Sequence, residues 1–92
     1  MLYFITFADF HPMRVIKEIP HPLCKITLFA WNNRYIIKVE RGLFEQTFKI
    51  PEFDVTGENE VVQLIDEEFV RQCVARFEQM AVSLAQAQQR VA

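Results

Sequence analysis

The sequence predicts an α+β domain: an antiparallel β-meander of three to five strands followed by one long C-terminal helix packed on one sheet face. Three observations carry this. The dipeptides Asn32-Asn33 and Arg41-Gly42 interrupt a stretch rich in aromatic and β-branched residues, as two-residue hairpin turns do. Apolar residues then recur in steps of three and four from Val70 to Val91, the period of a helix face. No Gly or Pro follows Gly57 to break that pattern.

Tyr3–Ala8 is apolar on both faces. It reads as a strand covered on both sides or lying at a partner interface. Residues 1–10 lack a basic start, Asp9 interrupts their apolar run, and no small-x-small site follows, so they are read as structural rather than as a secretory leader. Arg14–Ile19 alternates and is read as a further strand. Pro12, Pro20 and Pro22 separate these pieces and argue against helix there.

Cys24–Trp31, Arg34–Glu40 and Leu43–Ile50 form the centre of the meander. Closing the first turn at Asn32-Asn33 pairs Ala30 with Tyr35, Leu28 with Ile37 and Ile26 with Val39. It also pairs Phe29 with Ile36, Thr27 with Lys38 and Lys25 with Glu40. Closing the second at Arg41-Gly42 pairs Val39 with Phe44, Tyr35 with Phe48 and Lys38 with Glu45. One face is then apolar: Cys24, Ile26, Leu28, Tyr35, Ile37, Val39, Phe44, Phe48 and Ile50. A slip of one residue would turn these side chains to the other face.

Glu58–Leu64 is read as a short helical turn. Asp66 is a helix N-cap, with Glu67 and Glu68 in the first turn, where the helix dipole favours acids. Ile65 and Val70 suit a hydrophobic staple. The helix is expected from about residue 66 to 88, fraying in the Gln/Ala-rich tail. Its seam of Val70, Cys73, Phe77, Met80, Leu84, Ala87 and Val91 is expected to outrun the sheet and to need other cover.

Composition narrows the class. The chain has 92 residues, is 51% hydrophobic and carries a net charge of −2, which excludes a disordered chain. Its two cysteines are 49 positions apart, so a disulfide-stapled secreted mini-protein is excluded and two reduced thiols in a cytoplasmic protein are expected. No apolar run approaches the roughly 18–20 residues of a membrane helix. A chain this short buries only about 60–65% of its unfolded surface, while half its residues favour burial. That imbalance points to a homo-oligomer, and two-fold dimers are the commonest form.

Catalytic chemistry finds no foothold. His21 and Cys24 have H-x-x-C spacing, and His11 and Cys73 offer two more metal ligands, but one loose pair is not the two-knuckle pattern of structural zinc. No signature of a Cys–His nucleophile surrounds His21 and Cys24. With glycines only at 42 and 57, no phosphate loop exists. No enzyme activity, cofactor, metal or membrane contact is expected.

The second sheet face is mixed. It carries Lys25, Thr27, Phe29, Trp31, Arg34, Ile36, Lys38, Leu43, Thr47 and Lys49, with Glu40 and Glu45 among them. Residues 1–53 have seven Lys/Arg against five Asp/Glu, whereas residues 54–92 have three against seven. Aromatics interleaved with cations can stack bases and neutralise phosphates. A meander followed by a helix resembles, in topology alone and with no matching motif, the small PUR-type single-stranded nucleic-acid-binding modules. The alternative expectation, read from the face itself, is a single-stranded nucleic-acid-binding module in which Phe29 and Trp31 stack bases and Lys25, Arg34, Lys38 and Lys49 lie near phosphates. Against it, a net-acidic chain attracts phosphates poorly. The leading expectation is therefore self-association or protein–protein interaction, with Phe29, Trp31, Ile36, Leu84 and Val91 as the candidate surface.

Overall fold

The computed structural model describes residues 13–92. It contains one four-stranded antiparallel sheet, in the order β1 (Arg14–Ile19), β2 (Lys25–Trp31), β3 (Arg34–Arg41), β4 (Phe44–Pro51). A 3-10 turn at Glu52–Asp54 leads to α1 (Glu58–Leu64) and then α2 (Glu67–Val91). The expected strand at Tyr3–Ala8 falls outside the described residues.

The β2–β3 pairing is the one the sequence predicts, from Lys25 opposite Glu40 to Trp31 opposite Arg34. Asn32 and Asn33 both have positive φ, 53° and 62°, as a type I′ turn requires. The β3–β4 register differs from expectation. Arg41 stays in the strand opposite Phe44, and Gly42-Leu43 forms the loop. Gly42, with φ of 61°, takes the first central position, where a II′ turn places glycine. Moving the loop by one residue shifts every partner by two. Phe48 therefore lies opposite Ile37 rather than Tyr35, and Val39 faces Gln46 rather than Phe44. Lys38 faces Thr47 rather than Glu45, and Glu45 faces Glu40. A shift of two preserves which face each side chain occupies, so the apolar face survives intact.

β1 contains an irregularity. Val15 pairs with Phe29 and Lys17 with Leu28, leaving Ile16 as an extra residue. This bulge lets Ile16 and Ile19, three apart, both pack against the core, which a regular strand would forbid. Arg14 also reaches Glu58 of α1 at 3.7 Å.

The core lies between the sheet and the helices. Ile26, Leu28, Ile37 and Val39 meet Val61 of α1 and Val70, Cys73 and Phe77 of α2. Asp66 caps α2 by accepting from the Phe69 backbone N–H at 2.8 Å. Ile65 and Val70 both join the core. Before α1, Glu60 accepts from the Thr56 N–H and hydroxyl at 2.7 and 2.9 Å, and these bonds hold its carboxyl below the usual pKa. The helix does not fray at residue 88. It runs to Val91, since Ala, Gln and Leu are good helix formers and no breaker intervenes.

Candidate functional site

α2 tracks β4. The Phe48 and Phe69 rings meet edge to face at 5.0 Å. One turn further, Gln46 Nε2 donates to the Cys73 carbonyl at 2.8 Å. Further still, Phe44, Gln46, Arg76, Met80 and Leu84 line an open groove between strand and helix. The strand then ends at its hairpin turn, while the helix continues. Residues 81–91 add about 16 Å at 1.5 Å per residue.

Along that overhang the seam emerges into solvent. Cys73 and Phe77 are buried and Met80 is half-buried, but Leu84 is 49% exposed and Val91 87%. Ala87 lies between them on the same stripe. At the nearby hairpin tip, Leu43 is fully exposed. Residues 79–89 contain no charged side chain, although 24% of the chain is charged. A helix face that ended in solvent would ordinarily be charged or polar there.

The base of the overhang carries a polar clasp. Arg76 donates to Gln46 Oε1 at 3.1 Å and approaches Cys73 Sγ at 3.7 Å. Burial pushes the Cys73 thiol pKa up, and the Arg76 guanidinium partly offsets it. The Cys24 thiol is also pushed up, by burial and then by proximity to Cys73. Both cysteines are free. The sequence hinted at this clasp only by placing a polar residue, Gln46, in the row of Phe44 and Phe48.

The outer sheet face gathers the remaining candidates. Phe29 and Trp31 are half-buried there. Ile36 is only 3% exposed, so this face presents Phe29 and Trp31 but not Ile36. Lys38 Nζ lies over the Phe29 ring at 5.7 Å, and Lys25 lies 3.9 Å from Glu18. Arg34 and Lys49 are exposed on the same face. Two of the four expected phosphate contacts are thus already engaged within the sheet.

No family model matches the chain, and no curated protein or solved structure matches it. Geometry alone therefore bears on the remaining side chains. His21 Nδ1 accepts from the Leu23 N–H at 3.1 Å, and its Nε2 lies 3.4 Å from Glu67. This ring ties the β1–β2 connection to the start of α2, a contact with no mark in the sequence. His11 lies outside the described residues. Among the described residues, no three His, Cys, Asp or Glu gather as a metal site, and no helix is long and apolar enough to cross a membrane.

Proposed function

We propose that this is a small non-enzymatic protein that acts through self-association, as a homodimer. The observation that carries the reading is the continuation of the α2 seam past the sheet, with Leu84 and Val91 exposed. Fully burying an exposed side chain of this kind contributes about 1.5–3 kcal/mol, and about half of that remains to be gained at Leu84, which is 49% exposed. The cytoplasmic setting proposed with self-association rests on the sequence, which has only two cysteines, 49 positions apart.

Leu84→Glu places a charge on the exposed seam without touching the core. It should lower the dimer fraction in sedimentation equilibrium by tenfold or more at fixed concentration. A variant that dimerises as well as the parent would remove the support for this reading.

A further inference from the structure

We propose that residues 80–91 of α2 pair antiparallel with the same segment of a second copy, about a two-fold axis near residues 85–86. This rests on the self-association reading and adds its geometry.

The period of the seam supports a helical partner. Val70, Cys73, Phe77, Met80, Leu84, Ala87 and Val91 alternate steps of three and four, the 3.5-residue repeat by which two helices pack knobs into holes. The sheet covers the first three of these positions. Small side chains at Ala81, Ser83 and Ala85 border the rest, so two helices can approach to about 8–10 Å. No side chain between residues 79 and 89 is charged, and Arg90, the one charge within 80–91, keeps its guanidinium in water on a flexible stem, so little charge is desolvated in doing so.

Sterics select the orientation. At residues 70–77 the sheet fills the space in front of the seam. A parallel partner helix would need that same space for its own residues 70–77. An antiparallel partner carries those residues beyond the helix end at Val91. Met80 then faces the second copy's Val91, and Leu84 its Ala87, each layer occurring twice by symmetry. The incoming helix end meets Phe44 and the exposed Leu43 at the sheet rim.

The C-terminal carbonyls of each helix carry the negative end of its dipole and arrive near the other copy's Arg76, whose hydrogen bonds go to Gln46 and Cys73. Arg90 of the same last turn arrives with them, so the helix end brings both signs of charge and the orientation is set by sterics. One helix face of about three turns is small beside the roughly 20–30 residues a side of a stable specific interface. The dimer is thus reversible and concentration-dependent.

Mixing variants tests both levels. Leu84→Glu, Ala87→Lys and Leu84→Lys should each remain folded by far-UV circular dichroism and be monomeric alone. Mixing Leu84→Glu with Ala87→Lys should restore dimer mass, because the antiparallel layer sets the carboxylate introduced at position 84 against the ammonium introduced at position 87. Mixing Leu84→Glu with Leu84→Lys should not. The reverse pattern would overturn the antiparallel geometry and leave self-association standing. Undiminished dimers in all three single variants would place the interface elsewhere and overturn this inference. A parent protein that is monomeric throughout would overturn the self-association reading itself.

Discussion

The side-chain amide of Gln46 on β4 donates to the backbone carbonyl of Cys73 on α2 at 2.8 Å, fixing the helix to the sheet edge shortly before the helix leaves it. Its amide oxygen accepts from Arg76 at 3.1 Å. One side chain thus sets the point from which the overhang projects.

Gln46→Leu should lower stability by about 1 kcal/mol in urea unfolding, the usual net worth of such a bond. It should also weaken self-association, since the helix loses its lateral anchor. Unchanged stability would show that the clasp contributes nothing.

Asp66 satisfies an otherwise unpaired N–H at the start of α2. Asp66→Ala should cost about 1 kcal/mol, and Asp66→Asn much less, because asparagine caps as well. Equal losses for both would contradict a capping role.

Phe77 is the last fully packed residue of the seam before the overhang. Phe77→Ala should destabilise the fold by about 3–5 kcal/mol, whereas Leu84→Ala should leave monomer stability within about 0.5 kcal/mol. A comparable loss at both positions would mean that Leu84 is packed within its own chain.

Both thiol pKa values are raised, with burial the largest cause at each. The unfolded chain therefore loses these protons at lower pH than the folded one. The stability gained by keeping them protonated is complete below the ordinary cysteine pKa of about 8.5 and is lost as pH rises through the folded values. Thiol alkylation at about pH 8.5 should be roughly tenfold slower, or more, in the native protein than in urea. Equal rates would contradict the burial of Cys73.

Phe29 and Lys38 already satisfy each other on the outer face. Excess single-stranded oligonucleotide at low salt should therefore leave Trp31 fluorescence unchanged. Quenching that salt reverses would restore the nucleic-acid reading.

Much of the architecture was legible in the residues. The β2–β3 pairing followed from Asn32-Asn33, because only one register buries Ile26, Leu28, Ile37 and Val39 together. The cap at Asp66 followed from its acidic first turn and the seam after it. The β3–β4 register was not legible, since Arg41-Gly42 and Gly42-Leu43 put the same side chains inward and cross-strand charge pairing favoured the wrong one. The structure accepts Glu40 opposite Glu45, with Lys25 opposite Glu40 on its other side. The bulge at Ile16 was hidden because β1, which pairs only with β2 among the described residues, tolerates an extra residue with no local sequence mark. For the candidate surface, the overhang was legible as a mismatch between helix and strand lengths. The burial of Ile36 was not, because period alone does not say which residues of a mixed face are covered.

The seam beyond Met80 is the surface on which the proposed union of two copies rests. Molar mass by light scattering across a concentration series, at low and high salt, tests it most directly. The mass should rise from one chain towards two over about the micromolar range, with little effect of salt because the contact is mainly apolar. A single-chain mass at every concentration would contradict it.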